Sequence, residues 1–419
     1  MKILYLSQYF PPEIGAPAAR VAELSQRWAA EGHDVSVVTG FPNHPTGQIA
    51  PPYGSKFRRL LMRDDRDGVK VFRTWLIPLP NRRCWERILN YVSFAFSAAL
   101  RGVFLSRPDV LIATSPQLLV GLSGLFIAKC RRVPFVFEVR DLWPESLEAV
   151  GVSGKRSPLV WVLGKVSGLL YRQAAHIVVV THSFKKHLEK EWGVSPGKIS
   201  VVTNGVEHQL FRPENPDEEV IQEFALKDKF VASYIGTIGN AQGLETLISV
   251  GEMLASTHPD VLLLVVGEGA EKENFQRAIE GRGLINLRVL PALPRARIPA
   301  LLASSHVGLV LLKKSELFKT VLPTKMLEYM SSGRPVISTV QGESASLLDE
   351  ANGGICTEPE DPCALCQAIC KLHADSTLRE KYGRSGRSFI VSRLTRERTA
   401  EQYLVVLLRL LTETRLSSR

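Results

Sequence analysis

Short apolar runs rich in β-branched residues recur along the chain, separated by segments whose apolar positions fall three and four apart. In the first half the runs Ile3–Leu6, Val35–Thr39, Val69–Thr74, Val110–Ala113, Phe135–Val139 and Ile177–Val180 predict strands. Helical periodicity connects several of them, as in Ala18–Glu31, which stops at Gly32. The second half repeats the pattern with Val231–Ile235, Val261–Val266, Leu287–Leu290, Val307–Leu311 and Val336–Ser338. Continuously apolar strands joined by helices are covered on both faces, so the expected fold class is α/β, with two Rossmann-like, doubly wound parallel sheets. Ligands of such sheets collect at strand C-termini, and two of them imply a central cleft. The divisions expected are an N-terminal domain over 1–206, a polar, proline-containing linker over 207–229, a second domain over 230–392 and a C-terminal helical segment over 393–419.

The stretch Leu322–Ile337 carries the most chemistry. Pro323 and Thr324 suit a first helical turn, Lys325 to Glu328 are strong helix formers, and Gly333 caps the end before Val336-Ile337. Loop, short helix and strand would place free N–H groups, the Lys325 charge and, one turn on, the Glu328 carboxylate on one face. A cation for diphosphate and a carboxylate for vicinal hydroxyls describe a nucleotide-sugar site; the same residues also describe an ordinary helix with a solvated pair. Three glycine loops follow strands: Pro11 to Pro17 with Gly15, Gly236-Thr237-Ile238-Gly239 with Gln242 soon after, and Gly267-Glu268-Gly269. The first two could bring backbone close to phosphate, and the third reads as mainly structural.

For catalysis, a carboxylate at the end of the Phe135–Val139 strand could orient or deprotonate a hydroxyl, which makes Asp141 the first candidate and Glu138 the second. An Asp141–Arg140 ion pair or a helix cap would explain Asp141 equally simply. His44, in the irregular loop Phe41 to Gly47, is a further candidate. Cys363, Cys366 and Cys370 have a spacing that invites a metal, with Cys356 and His373 nearby. Falling at i, i+3 and i+7 after Asp361-Pro362, they read instead as a buried helical stripe, and no metal site is expected.

The formal charge of +10 changes the picture because it is uneven. Residues 1–206 hold 27 Lys and Arg against 15 Asp and Glu, a net +12, and the remainder is −2. This asymmetry suggests an anionic partner for the first domain, with membrane phospholipid or lipid pyrophosphate favoured over nucleic acid because no nucleic-acid signature accompanies it; the ordinary bias of an Arg-rich proteome is the other reading. Between Arg82 and Arg107, Trp85, Ile88, Leu89, Val92, Phe96, Leu100, Val103 and Phe104 form a stripe widened by Tyr91, Phe94 and Ala98 and flanked by Arg82, Arg83, Arg87 and Arg101. It reads as an interfacial helix on an anionic membrane or as a buried domain helix; Asn90 and Arg101 argue against a spanning one. The basic loop Lys56-Phe57-Arg58-Arg59, continuing to Arg63, could face the same surface. The N-terminus lacks a signal-like apolar region and reads as a buried strand, so the six cysteines are expected to be reduced thiols.

Glu328-Tyr329-Met330-Ser331-Ser332-Gly333-Arg334-Pro335-Val336-Ile337 resembles the donor-site helix of GT-B glycosyltransferases of family 4, and Asn204-Gly205-Val206-Glu207 followed by Phe211-Arg212-Pro213 resembles a second signature of that family. The family's first glutamate, eight positions before Glu328, is Thr320 here, and its usual phosphate-binding Lys-Gly pair is Gln242-Gly243. The form P-T-K-x-x-E-Y is similar to the WbuB-like branch, the N-acetyl-L-fucosamine transferases of bacterial polysaccharide biosynthesis. The resemblance implies a hexosyltransferase that moves a sugar, of the N-acetylated 6-deoxy amino type, from a UDP-sugar to a polyprenyl-diphosphate-linked saccharide, with retention and without metal or cofactor. Donor contacts carried over are Gly15, Gly236, Thr237, Gly239, Gln242, Leu322, Thr324, Lys325 and Glu328, with Lys325 or Lys319 replacing the absent lysine. Arg140 stands at the position of a family histidine, which leaves the role to Asp141. The segment 393–419 is similar to the helix that crosses back to the first domain. The implied setting is cytoplasmic, peripheral on the inner face of the plasma membrane. A nonhydrolysing UDP-N-acetylglucosamine 2-epimerase and a silent membrane-associated scaffold of the same fold remain as alternatives.

Overall fold

The computed structural model describes residues 1–13, 15–44, 46–80, 83–149 and 157–417 of the chain. Ile14 of the first glycine loop, Pro45 beside His44 and Arg82 before the apolar stripe lie outside the described residues. The chain forms two compact units, Met1–Asn204 with Glu397–Arg419, and Gly205–Arg396.

The first unit is built on eight strands: β1 Lys2–Leu6, β2 Asp34–Gly40, β3 Leu61–Arg66, β4 Val69–Thr74, β5 Val110–Thr114, β6 Phe135–Val139, β7 His176–Val179 and β8 Ile199–Val201, in the order β3-β4-β2-β1-β5-β6-β7-β8. Seven run parallel, with helices returning the chain between most of them and β4 reached through β3. β3 departs from the expected all-parallel sheet, pairing antiparallel with β4 from Leu61↔Thr74 to Arg66↔Val69. The sequence Leu-Met-Arg-Asp-Asp-Arg shows no apolar run, since an edge strand can leave charged side chains in water. The basic loop expected at Lys56–Arg63 is therefore a one-turn helix, Gly54–Phe57, followed by this strand. On one sheet face Tyr5, Phe10, Val21 and Trp28 pack with Tyr403, Leu404, Leu407 and Leu410 of the final helix, Arg396–Ser417. The Trp28 indole N–H donates to the Ala400 carbonyl at 3.1 Å.

The second unit holds six parallel strands: β9 Phe230–Ile235, β10 Val261–Val266, β11 Leu287–Leu290, β12 Val307–Val310, β13 Val336–Ser338 and β14 Gly354–Cys356, in the order β11-β10-β9-β12-β13-β14. The stretch 207–229, expected to be a linker, is part of this unit. Phe211 packs with Met326 and Tyr329, Val220 and Leu226 pack with Val231 and Leu262, and Asp217 caps the short helix Glu218–Glu223. Its apolar residues are too widely spaced to announce a buried segment. The cysteine stripe lies on the helix Pro362–Ala374, where Cys366 joins Leu365, Ile369 and Leu372 in the core and Cys363 is exposed. Among the described residues no cluster could hold a metal ion.

Strand order reverses between β1 and β5 in the first unit and between β9 and β12 in the second. Loops leaving the C-terminal ends of those pairs diverge and open a crevice in each sheet.

Helix Cys84–Phe104 presents two faces. Asn90, Ser93, Phe94 and Ala98 are buried, whereas Trp85, Ile88, Leu89, Val92, Phe96, Leu100 and Phe104 are exposed, Phe96 by 72% and Phe104 by 76%. Phe94 and Ala98, which widened the stripe in the sequence, are thus core residues. Arg101, expected beside the apolar face, stacks over the Phe72 ring at 4.8 Å. No described helix is long and apolar enough to cross a membrane.

Candidate active site

In the second unit the helix predicted around Lys325 runs from Thr324 to Ser331. No side chain caps its first turn, and it ends as the sequence suggests, with Gly333 at φ +70° and N–H bonds from Gly333 to Met330 and from Arg334 to Tyr329. The Tyr329 ring lies against Gly308 of β12, where a Cβ would come within 2.3 Å of it, and its hydroxyl accepts the Ile235 N–H at 2.8 Å. The helix is therefore fixed against β9 and β12, the reversal pair.

Lys325 does not form the solvated pair with Glu328 that an ordinary helix would show. Its ammonium sits 3.6 Å from the centroid of the Tyr234 ring, and a Cβ on Gly236 would lie 2.6 Å from its Nζ. Burial pushes this ammonium down to about 7, with Glu328 opposing. Among the described residues no carboxylate reaches ion-pair distance of it. Gly236 has φ +149°, a conformation that favours glycine, so the backbone passes where a side chain would displace the lysine.

The Gly236–Gly239 loop is held from behind by the Gly267-Glu268-Gly269 turn. Ile238 N–H donates to Glu268 O at 2.9 Å, and Cβ atoms at Gly267 and Gly269 would fall 1.8 and 2.1 Å from the Gly236 and Ile238 carbonyl oxygens. Thr237 O accepts from the Tyr234 hydroxyl at 2.7 Å. Gln242 ends a single turn after Gly239, and the Lys313 N–H donates to Ala241 O at 2.9 Å, bringing a cation missed in the sequence to the loop where the family lysine is absent.

Glu328 is not a free acceptor. One oxygen pairs with Arg295 at 3.3 Å, and that guanidinium also lies 5.0 Å from the Phe211 ring. Burial pushes the Glu328 carboxyl up, opposed by Arg295. Arg295 follows β11, and nothing in its sequence spacing announced the contact. Lys319 is tied to Glu316 at 2.6 Å and lines a different cavity, of about 440 Å³, with Lys313, Lys314 and Gly342. Leu322 is buried in the core, so any ligand contact from it would be through backbone. Thr324 opens the helix beside Lys325.

In the first unit a cavity of about 430 Å³ lies at the β1/β5 reversal, lined by Tyr9, Glu13, Gly15, His44, Gln117 and Trp143 among others. Gly15, at φ +150°, begins the helix Ala16–Ala30. His44 lies at the surface with its ring edge-on to Tyr9 at 5.2 Å, and partial burial of the ring lowers its imidazole. Asp141 leaves β6 at the same end of the sheet without lining the cavity. Its N–H and that of Arg140 donate to Ser115 Oγ at 3.2 and 2.7 Å, and burial pushes its carboxyl up to about 6, Arg140 opposing. The alternative ion pair with Arg140 is absent among the described residues.

Glu138 requires a correction. It was expected to face a cleft and is fully buried. Oε1 pairs with Arg20 at 3.0 Å and Oε2 accepts from the Tyr5 hydroxyl at 2.6 Å, while Arg20 also donates to Val202 O, Thr203 O and Asn204 Oδ1. Burial opposes its charge, but Arg20 and Arg140 outweigh that and hold the carboxyl below its ordinary value. Alternation along β6 points Glu138 into the sheet's helical layer rather than toward the strand end. Glu13, which the sequence reading passed over, is the buried carboxylate that does line the cavity.

Residues 15–205 match the glycosyl transferase 4-like domain, and residues 216–389 match the glycosyl transferases group 1 domain. The putative colanic acid biosynthesis glycosyl transferase WcaI of Escherichia coli K12 is 26% identical over 96% of this chain and 99% of its own. Sucrose-phosphate synthase of Thermosynechococcus elongatus superposes with a TM-score of 0.78 at 18% identity, covering 98% of this chain and 99% of that one. Anabaena HepE, solved with UDP-glucose, superposes at 0.70 with 17% identity over the whole of both chains. With two parallel, Rossmann-like units and a transferase domain matched to each, this chain is a family 4-like GT-B glycosyltransferase.

Proposed function

We propose that the protein transfers a sugar from a UDP-sugar, bound by the second unit, to a polyprenyl-diphosphate-linked saccharide bound by the first, in bacterial polysaccharide biosynthesis. The observation that carries this reading is the Lys325 ammonium, recessed on Tyr234 beside the Gly236 backbone at the β9/β12 reversal, without a carboxylate partner among the described residues. A diphosphate there would meet that cation, the uncapped first turn at Thr324 and the glycine-loop amides, which offset leaving-group charge without a metal. Glu328, in exchange with Arg295, would take the ribose hydroxyls. Asp141 would contact sugar or acceptor hydroxyls. HepE, which superposes over the full chain, was solved with UDP-glucose, and WcaI is named for colanic acid biosynthesis; both support the choice of donor and pathway. The form P-T-K-x-x-E-Y favours an N-acetylated 6-deoxy amino sugar such as N-acetyl-L-fucosamine, with retained configuration. The exposed apolar face of the helix Cys84–Phe104 and the basic excess of residues 1–206 favour peripheral residence on an anionic inner membrane face.

The test incubates purified protein with a panel of UDP-, GDP- and dTDP-sugars, with and without a polyprenyl-diphosphate-linked monosaccharide, followed by mass spectrometry. Addition of one sugar mass to the lipid, only when both are present and with a UDP-sugar, is expected. Conversion of a UDP-sugar without acceptor would overturn the reading in favour of the epimerase.

A further inference from the structure

We infer that the cavity at the β1/β5 reversal is a neutral sugar subsite for the acceptor saccharide, with Glu13 and Gln117 as its recognising side chains. The inference rests on the transferase reading above and assigns the acceptor a place within the first unit.

Glu13 is 9% exposed and Gln117 4%. Glu13 Oε1 accepts the backbone N–H groups of Asn43 and His44, both at 3.0 Å. Its Oε2 is buried and has no hydrogen-bond partner among the described residues. Gln117 Nε2 donates to the Tyr9 hydroxyl at 3.2 Å, and its Oε1 is likewise buried and unpartnered. Trp143 Nε1, on the same wall, is a third unpartnered atom. An unmet buried polar atom costs roughly 1–3 kcal/mol, and folded proteins keep few of them. Three around one cavity are explained if an occupant completes them.

The inventory defines that occupant. Gln117 Oε1 accepts and Trp143 Nε1 donates, while burial pushes the Glu13 carboxyl up to about 7, so near neutral pH its Oε2 can meet a ligand as acceptor or as O–H donor; the occupant must bring both donors and acceptors. A sugar hydroxyl is both. A phosphate has no N–H and few or no O–H groups at neutral pH, so although Arg87 also lines the cavity, a phosphate would leave Gln117 Oε1 without a donor. The Tyr9, Tyr91 and Trp143 rings give the apolar surface on which the C–H face of a pyranose packs. The volume of about 430 Å³ suits one or two sugar rings. The support behind the carboxylate is fixed: Asn90 of the helix Cys84–Phe104 donates to Asn43 Oδ1 at 3.1 Å and to Ile77 O at 2.9 Å, holding the turn whose amides grip Glu13.

The experiment uses the full chain and the variants Glu13→Gln, Gln117→Leu and the milder Trp143→Phe, which removes only the indole N–H. Transfer to the polyprenyl-linked saccharide is measured with donor and acceptor varied separately. The expected result is an acceptor KM raised tenfold or more in the first two variants and severalfold in the third, with the donor KM unchanged. Wild-type transfer with an unaltered acceptor KM in all three variants, or a rise in donor KM alone, would overturn the inference. If the wild-type protein transfers no sugar, the transferase assignment of donor and acceptor fails, and the subsite is then read directly. Methyl N-acetylhexosaminides titrated by saturation-transfer NMR would bind wild type and be lost in Glu13→Gln, which supports the site; no saturation, or equal displacement by inorganic phosphate, would overturn it.

Discussion

Lys325 shows how one residue's surroundings set its chemistry. Lying over Tyr234 and half-buried, its ammonium is pushed by burial down to about 7, which makes its charge sensitive to pH near neutrality. A bound diphosphate favours the charged form, and binding at pH 7 should take up about half a proton. The sign follows directly: UDP-sugar affinity is full below pH 7 and falls as pH rises above it, by at most about tenfold per unit, until the raised bound-state value is passed. A UDP-sugar has no phosphate ionisation in this range, so calorimetry in buffers of different ionisation enthalpy reads the lysine. Lys325→Met keeps the helix and should lower affinity by ~1.5–3 kcal/mol while abolishing the proton uptake. Equal affinity in the wild type at pH 6 and pH 8, below the range in which the uracil N3–H ionises, would exclude Lys325 as a phosphate partner. Behind it, Gly267→Ala puts a Cβ 1.8 Å from the Gly236 carbonyl oxygen, so the loop must move. Donor binding should drop at least tenfold in that variant, checked by the same titration, whereas Gly281→Ala, at a helical position where a Cβ meets nothing within 4 Å, should leave it unchanged. Lys325 and Glu328 were legible in the sequence because one helical turn puts them on one face. Arg295, Lys313 and Tyr234 were not, since each reaches the site through sheet topology, and Glu13 was hidden in plain view as the acid of a proline-rich loop whose glycine drew attention.

At the scale of elements, the helix Cys84–Phe104 separates two jobs by angle around its axis. Its inner face supplies Asn90, which supports the Asn43 turn, and Phe94 and Ala98, which fill the core; Tyr91 and Arg87 reach the cavity wall. Its outer face is apolar and open, and Arg83 before its first turn is exposed. The same sequence run looked undecided between membrane and core because its apolar residues spread over more than one face while its few polar ones are scattered; Asn90 and Ser93, which interrupt the run, lie on the buried side. The two faces separate experimentally. Phe94→Ala should cost ~3–5 kcal/mol of stability by leaving a core cavity. The pair Phe96→Glu and Phe104→Glu should alter stability by less than ~0.5 kcal/mol each, yet remove cosedimentation with phosphatidylglycerol vesicles. Vesicle binding that survives both changes would assign the apolar face to something other than a membrane. Strands were the most legible elements: the long apolar ones were read to within a residue or so, while β3, β8 and β14 were missed because short or edge strands bury too little to show a run.

For the whole molecule, the chain crosses between its units twice, after Asn204 and after Arg396. The crossings are adjacent, since Val206 N–H donates to Leu394 O at 2.9 Å and Arg396 N–H to Val206 O at 3.1 Å. The last helix is consequently a structural part of the first unit although nearly two hundred residues separate it from that unit's other strands and helices. Tyr403, Leu404, Leu407 and Leu410 cover Tyr5, Val21 and Trp28. Large-to-small changes at buried sites of this kind cost ~2–5 kcal/mol each, and losing four such side chains together approaches or exceeds the ~5–15 kcal/mol that holds a typical domain folded. A chain ending at Arg396 should therefore lose the first unit's unfolding transition in calorimetry. The second unit keeps its own core around Tyr234, Leu263 and Leu365, and with it Gly236, Lys325, Glu328 and Arg295. UDP binding should persist in the shortened chain while transfer disappears. Retention of both transitions would show that the final helix is dispensable packing. Loss of UDP binding along with the first unit's transition would mean that the donor site draws on residues beyond Gly205–Arg396.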